Sequence, residues 1–221
     1  LRAIVDCPIP VIAAIDGHVR AGGLGLVGAC DIAVAGPRST FALTEARIGV
    51  APAIISLTLL PKLAPRAAAR YFVTAETFTA DRAAEIGLVT LAAEDVGFAV
   101  DALIGELGKA SPQGLAASKA LTTAAIRAGF DRDAERLAQE SARLFVSDEA
   151  REGMLAFLEK RPPQWAAPGV CLAVAAFLVF LARAPLEVVL VGLRRHRVLP
   201  RSRLARLVLA ARPCPDRGGA G

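Results

Sequence analysis

The 221-residue chain has little with which to build a metal or disulfide site. Its four cysteines lie far apart, and no two of them form a Cys-x-x-Cys pair: Cys7, Cys30, Cys171 and Cys214. This spacing argues against a disulfide framework and against a zinc site. We therefore expect no metal in any site that the chain forms.

Clustered positive charge is missing from residues 1–165. Residues 166–221 hold nine of the 26 basic residues and two of the 21 acidic ones, which gives this tail a net charge of +7. The first 165 residues are left with a net charge of −2, so the basic character of the chain belongs to the tail. Because phosphate binding needs Lys and Arg grouped on one face, we expect no nucleic-acid surface in the body.

Residues 1–16 do not resemble a secretion signal, because they lack a charged head followed by an apolar run and a small-residue cleavage site. A cytoplasmic location follows as the expectation. The chain lacks an initiating Met, and Ile4, Val5 and the apolar residues 10–15 are typical of interior structure. We therefore expect the chain to begin in mid-domain.

Short apolar segments dominate the first 45 residues. Residues 11–15 are apolar and largely β-branched and end at Asp16-Gly17, which predicts a buried strand closed by a turn. Residues 31–35 predict a second strand and residues 40–43 a brief third one. The segment between the first two, residues 21–30, is long enough for two or three helical turns.

Helical patterns follow, each with a residue suited to begin or end a helix. Thr79 is a plausible N-cap for a helix ending near Gly87, with a strand expected at residues 88–91. Asp95 can cap a further helix, and Ser111-Pro112 opens one that we expect to end at Gly129. Two more helices are expected at residues 131–146 and 147–160. This order predicts an α/β layer with a C-terminal helical subdomain rather than a doubly wound sheet.

The segment Ala21-Gly22-Gly23 leads into a helix that also contains Gly25 and Gly28. Each interior glycine costs about 0.5–1 kcal/mol relative to alanine, so a compensating role is expected. Free N–H groups at the helix start would favour an anion, whereas close helix packing would explain the glycines equally well. Residues 23–28 also match GxGxxG, but seven residues separate Ile15 from Gly23, which is too far for a dinucleotide-binding turn.

Glu45 stands in an otherwise largely apolar segment that is followed by Gly49 and Pro52. A carboxylate in such surroundings can have its pKa raised and act as a general acid or base. An ion pair with Arg47, or simple exposure to solvent, is the alternative. The nearby glycine segment is what favours the catalytic interpretation.

Several segments of the chain carry a family resemblance through their order: residues 10–17 (PVIAAIDG), 21–23 (AGG) and 29–35 (ACDIAVA), Phe41 with Glu45, Gly49 and Pro52, residues 84–89, and residues 152–161 (EGMLAFLEKR). In this order, they resemble the crotonase family, the enoyl-CoA hydratases and isomerases. The resemblance extends over residues 1–165 and implies a crotonase-like spiral of strand-and-helix units, its N-terminal part missing, with a C-terminal helical subdomain.

The resemblance implies roles for individual residues. The N–H of Gly22 would bind the thioester oxygen of an acyl-CoA, and Glu45 would be an acid/base glutamate. Phe157 and Lys160 match positions that in some members reach the CoA of a neighbouring subunit, although a core aromatic and a solvated lysine are the alternatives. Ala21, Gly23 and Gly25 would complete the substrate-binding residues. The family also implies a homotrimer or hexamer, with coenzyme A as part of the substrate and no separate cofactor.

Two departures from the family bear on the reaction. Hydratases carry a first catalytic glutamate three residues after the position of Gly22, where this chain has Gly25. Family members also have upstream strands that supply the second oxyanion donor. Hydration of a 2-enoyl-CoA in fatty acid metabolism is the first expectation. The alternatives are double-bond isomerisation by a single glutamate and an inactive truncated fragment.

The tail, residues 166–221, changes composition to Ala, Leu, Val, Arg and Pro. Its apolar run at residues 170–182 is thirteen residues long, short of the roughly 20 needed to cross a bilayer. A membrane-attached tail, with its basic flank on the cytoplasmic side, is one interpretation. We favour the other, a poorly ordered appended stretch without selected function, such as translation past the natural end of the gene.

Overall fold

The computed structural model describes residues 1–166 and the backbone of residues 179–180 and 187–188. The chain divides into two compact units, Leu1–Glu159 and Lys160–Gly221. The elements of the first unit, in chain order, are α1 (Arg2–Asp6), β1 (Ile12–Ile15), β2 (His18–Arg20), α2 (Gly22–Ala29), β3 (Ile32–Ala35), β4 (Thr40–Ala42), a 3₁₀ turn (Glu45–Ile48), α3 (Ser56–Leu59), α4 (Pro65–Thr74), β5 (Phe78–Thr79), α5 (Ala80–Glu85), β6 (Leu91–Ala92), α6 (Val96–Leu107), α7 (Pro112–Phe145) and α8 (Asp148–Leu158).

Two small sheets organise the first unit. One is parallel, with the strand order β1-β3-β6, and pairs Ile12 with Ile32 and Ile15 with Ala35. The other has the order β2-β4-β5, in which β2 and β4 are parallel and β5 is antiparallel to β4. Because β1 and β2 are consecutive, as are β3 and β4, the chain alternates between the sheets in successive strand-and-turn units.

Apolar side chains from both sheets meet the helices in one main core. Phe41, on β4, is fully buried and stacks on Phe78 with 5.7 Å between the ring centroids. The ring centroid of Tyr71, on α4, lies 4.2 Å from that of Phe78. Leu24 and Leu59 bring α2 and α3 into the same core. A second cluster joins the first helix to α7 through buried apolar residues: Val5, Ala29, Leu57, Ile126 and Phe130.

Four of the predicted helix starts are confirmed by their capping bonds. The side chains of Thr79, Asp95, Ser111 and Ser147 each accept a hydrogen bond from the backbone N–H three residues later, at 2.9–3.4 Å. Such caps satisfy N–H groups that have no partner within the helix. They depend on neighbouring residues only, which is why the sequence predicts them well.

Three sequence predictions are wrong in detail. The helix from Ser111-Pro112 does not end at Gly129 but continues to Phe145 as one 34-residue helix. Gly129 is buried in that helix, and helix-forming neighbours on both sides outweigh the roughly 1 kcal/mol that an interior glycine costs. The strand expected at residues 88–91 begins only at Leu91. The separate helix expected at residues 131–146 is part of the same 34-residue helix and has no start of its own.

A buried ion pair ties α7 to the N-terminal segment. Lys119 Nζ lies 2.7 Å from Asp31 Oδ2 and also donates to the carbonyl oxygens of Ile4 and Ile9 at 2.9 and 3.0 Å. The same Asp31 oxygen accepts the N–H of Val11 at 2.7 Å. With the Lys119 side chain 4% exposed, these four bonds fix α1, β1 and α7 against each other.

The second unit is described only in part. It contains a 3₁₀ turn at Gln164–Ala166 and two short antiparallel strands, β7 (Val179–Phe180) and β8 (Glu187–Val188). The apolar run at residues 170–182, weighed above as a membrane segment, lies outside the described residues apart from the backbone of β7. Within the described part of the chain, no helix combines the length and the apolar character that a membrane span requires.

Candidate active site

The two parallel strands of the second sheet bring the glycine segment and Glu45 to the same end of the molecule. Strand β2 leads into the N-terminus of α2 at Gly22, and β4 leads through Leu43 and Thr44 into the turn that begins at Glu45. The pairing of Arg20 with Ala42 is extended by a hydrogen bond from Ala21 N–H to Ala42 O at 3.1 Å. Both segments therefore leave the sheet at its carboxyl-terminal edge, where parallel strands commonly place binding residues.

The start of α2 is shaped as an anion-binding end. Gly22 is the first helical residue, so its N–H and that of Gly23 have no carbonyl partner within the helix. A Cβ placed on Gly22 would meet no atom within 4 Å, so open space lies beside this backbone. Ala21, the N-cap, has φ 46° and ψ −124°, a strained conformation for a residue with a side chain. Strain of this kind is frequent at functional sites.

Glu45 is a buried carboxylic acid. The residue is 9% exposed, and its Oε2 is buried with no hydrogen-bond partner among the described residues. Burial raises the pKa of Glu45 above its ordinary value because it disfavours the charged form, and a hydrogen bond from its own backbone partly offsets this rise. A carboxyl group with a raised pKa is better matched to proton transfer near neutral pH.

The alternative explanations for Glu45 do not hold. In the described part of the chain Glu45 forms no ion pair with Arg47, and its burial excludes simple exposure to solvent. An unpartnered buried carboxyl oxygen costs free energy, so the position of Glu45 does not contribute to stability through this oxygen. Its role as an acid or base stays a prediction.

The inner glycines of α2 are explained by packing. A Cβ on Gly25 would lie 2.3 Å from Ile55 Cγ2, and a Cβ on Gly28 would lie 2.9 Å from the carbonyl oxygen of Thr58. Both positions therefore let α3 and the residues before it approach the backbone of α2. A second carboxylate has no room at position 25 while Ile55 is present. From the sequence alone, close packing and ligand binding explain these glycines equally well. The assignment of Gly25 to substrate binding stays a prediction.

Helix α8 supports the turn that carries Glu45. Gly49 has φ 78°, in the left-handed region, and a Cβ there would lie 2.7 Å from the backbone of Glu149. A Cβ on Gly153 would lie 2.6 Å from the backbone of Ile48. These two close approaches set α8 directly against residues 45–49. Residues 48, 149 and 153 carry no local sign of this role, and only the fold brings them together.

We expect Gly153→Ala to lower the stability by about 1–3 kcal/mol, because the added methyl group forces α8 away from Ile48. It should also lower activity by displacing Glu45. Gly105→Ala is the matched control, since a Cβ at Gly105 meets nothing within 4 Å. That control in α6 should gain about 0.5–1 kcal/mol. Urea denaturation measures both, and equal stabilities of the two variants would contradict the close contact.

The remaining predicted residues lie in different surroundings. A Cβ on Gly23 would come within 3.1 Å of Val19 Cγ1. Phe157, near the end of α8, is 74% exposed and is therefore not the core aromatic weighed above. Lys160 is exposed in the second unit and has φ 53°. In the part of the chain that the structure describes, no group of three or more His, Cys, Asp or Glu side chains is placed to hold a metal.

The fold of the described residues is crotonase-like. A crystal structure of an enoyl-CoA hydratase from Mycobacterium avium matches with a TM-score of 0.73 and 79% sequence identity, over 74% of this chain and 65% of that one. The carnitinyl-CoA dehydratase of Salmonella arizonae is 31% identical over 75% of this chain and 66% of its own length. The crotonyl-CoA hydratase of Syntrophomonas wolfei is 32% identical over 72% and 63%, respectively.

The sequence profile described as "Enoyl-CoA hydratase/isomerase" matches residues 1–168. The chain belongs to the enoyl-CoA hydratase/isomerase family. It spans 66% and 63% of the length of the two curated relatives named above, just under two thirds. The family expected from the segments quoted above is thereby confirmed, and the crotonase-like α/β fold with it.

Proposed function

We propose that the chain forms the acyl-CoA site of a lyase that adds water to a 2-enoyl-CoA, in fatty acid metabolism. The observation that carries the proposal is Glu45, a buried carboxyl group with an unpartnered oxygen at the strand edge from which α2 begins. The names of the relatives support the reaction type, since they include a crotonyl-CoA hydratase and a carnitinyl-CoA dehydratase.

In the proposed reaction, Gly22 and Glu45 have complementary roles. The N–H of Gly22 and the N-terminal dipole of α2 hold the negative charge that develops on the thioester oxygen. Glu45 takes a proton from the water that adds at C3 and returns it at C2. One carboxyl group is sufficient for this sequence of steps, because the proton that it accepts is the proton that it delivers. Ala21 and Gly23 flank Gly22 and shape the backbone around the oxyanion.

Isomerisation of a double bond is the second candidate, and the contact between Gly25 and Ile55 favours it. Ile55 fills the space that a side chain at position 25 would need, so the site keeps a single carboxylate. Such a site can remove a proton from C2 of a 3-enoyl-CoA and return it at C4. The same oxyanion contact would stabilise the dienolate formed between these two steps.

The two reactions are distinguished with one spectroscopic signal, the absorbance of the conjugated 2-enoyl thioester. Hydration of crotonyl-CoA makes this absorbance fall, whereas isomerisation of a 3-enoyl-CoA makes it rise. The purified chain is tested with both substrates after circular dichroism has shown that it is folded. A folded chain that changes neither signal would overturn the proposal and leave the inactive fragment.

Assembly is the second part of the proposal. Exposure of Phe157, at 74%, leaves its ring available to an acyl-CoA bound to a neighbouring subunit, and Lys160 is exposed as well. We expect a homotrimer or a hexamer in the cytoplasm, with coenzyme A entering as part of the substrate and no separate cofactor. Light scattering coupled to size-exclusion chromatography measures the mass, and a monomer that is fully active would contradict this part.

A further inference from the structure

A pocket lies at the opposite end of α2 from Gly22. Eight residues of helix, about 12 Å, separate the two ends. The pocket has a volume of about 260 Å³, and apolar and polar groups share its lining. Among the lining residues are Val27, Cys30, Lys62, Leu88, Val89 and Thr90.

Lys62 reaches into this pocket of about 260 Å³ from the segment that follows α3. Its Nζ donates a hydrogen bond to the carbonyl oxygen of Cys30, and the side chain is half-buried. Burial lowers the pKa of Lys62 below its ordinary value, and the like charge of Lys119 acts in the same direction. The nearby Asp31 and Cys30 oppose this shift. A larger fraction of the amine is therefore neutral, which is its nucleophilic form.

The other three lysines of the chain lie in different surroundings. Lys119 is enclosed by Asp31 and two backbone carbonyl groups, with its side chain 4% exposed. The side chain of Lys109 is 71% exposed, and its Nζ lies 2.7 Å from Glu106 Oε1. Lys160 is exposed in the second unit. Of the four, Lys62 is the lysine that lines the pocket.

Cys30 lines the same pocket. The residue is 8% exposed, and burial raises the pKa of its thiol above the ordinary value. The thiolate is the reactive form of cysteine, so the same burial makes this thiol less reactive than an exposed one. The pocket therefore holds a buried thiol beside the half-buried amine of Lys62.

We propose that Lys62 is a site of covalent acylation by acyl-CoA thioesters. The Nζ lone pair attacks the thioester carbonyl carbon, the carbon–sulfur bond breaks, and an amide bond forms. Coenzyme A leaves as the thiolate and takes up the proton that the nitrogen loses, so no further reactant is needed. The apolar wall formed by Val27, Leu88 and Val89 offers space for the acyl group. The reagent class rests on the proposed function, which brings acyl-CoA to this protein.

The test is incubation of the folded chain with acetyl-CoA, followed by digestion and quantitative mass spectrometry of all four lysines. We expect Lys62 to be acetylated at least about fivefold faster than Lys109, since the pocket holds the acyl group beside the Lys62 amine and burial enlarges the neutral fraction of that amine. The same incubation in urea should bring the two rates close together. Equal rates in the folded chain would overturn the proposal, as would a preference for Lys62 that persists in urea.

Two variants separate this proposal from the proposed function. Lys62→Arg keeps the positive charge and should lose the acetylation at position 62, while Lys109 reacts as before. Glu45→Gln should leave the acetylation of Lys62 unchanged. If Lys62 is acetylated in a chain that turns over neither enoyl-CoA, the proposed function fails and the acylation site stands. If the chain turns over an enoyl-CoA but Lys62 is not acetylated selectively, the acylation site fails and the proposed function stands.

Discussion

Glu45→Gln is expected to lower kcat/KM by about 10²–10⁴-fold with either enoyl-CoA substrate, because the variant cannot accept a proton. The amide has nearly the shape of the carboxyl group, so substrate binding should change little. Glu85→Gln is the matched control. Its side chain is 62% exposed and pairs with Arg82 at 2.7 Å, on a helix that is not part of the site. Full activity of Glu45→Gln would remove Glu45 from the mechanism.

The pH dependence of stability separates a catalytic role of Glu45 from a structural one. The raised pKa means that the folded state binds the proton of Glu45 more tightly than the unfolded state does. The contribution of Glu45 to stability is therefore greatest below its ordinary pKa and is lost as the pH rises through the raised value. Glu45→Gln should lack this fall and be at least as stable as the parent at neutral pH. A marked loss of stability would indicate a structural role.

The same pKa shift sets the acid limb of the activity profile. A general base must be ionised, so kcat/KM should fall as the pH drops through the raised pKa of Glu45. This fall should begin at a higher pH than an exposed glutamate would give. An exposed glutamate has a pKa of about 4.3. A profile of kcat/KM measured from pH 4 to pH 8 therefore tests the position of this fall.

Lys119→Met is expected to destabilise the fold by about 3 kcal/mol, because it leaves Asp31 buried without its ion-pair partner. The carbonyl oxygens of Ile4 and Ile9 lose their donor in the same variant. The value lies at the lower end of the usual range because Lys62 also attracts Asp31. Denaturation in urea, followed by circular dichroism, measures the loss.

Lys109→Met is the control for the loss of a lysine as such. Its side chain is 71% exposed, so its ion pair with Glu106 should contribute no more than about 1 kcal/mol to stability.

A double variant tests the coupling between Lys119 and Asp31. Adding Asp31→Asn to Lys119→Met removes the uncompensated charge, so the double variant should lose less stability than the sum of the losses in the two single variants. Additive losses would show that Lys119 and Asp31 are not coupled.

The parts of the fold that depend on neighbouring residues were predictable from the sequence. Thr79 and Asp95 cap their helices through bonds that span three residues, and the strand at Ile12–Ile15 follows from its apolar pattern and the turn after it. Gly129 was misleading because a glycine near a predicted boundary does not reveal whether the flanking segments continue as one helix.

The candidate site was predictable only where its residues lie close together in the chain. Glu45 and Gly22 could be paired in advance because Glu45 lies 23 residues after Gly22 and both stand in the order of the crotonase segments. The role of Ile55 could not, since it meets Gly25 across 30 residues of chain. The support that Gly153 gives to the Glu45 turn spans more than 100 residues. Contacts of this range depend on how the helices pack, which local patterns do not encode.

The contact between Gly25 and Ile55 also constrains how this site could change during evolution. A glutamate at position 25 is accepted only after Ile55 has been replaced by a small residue, because the two side chains would occupy the same space. Replacing Ile55 first leaves a cavity, at a cost of about 2–5 kcal/mol for an isoleucine-to-alanine change. The two positions are therefore epistatic, and either order of substitution passes through a destabilised intermediate. A second carboxylate is therefore separated from this chain by two coupled substitutions rather than by one.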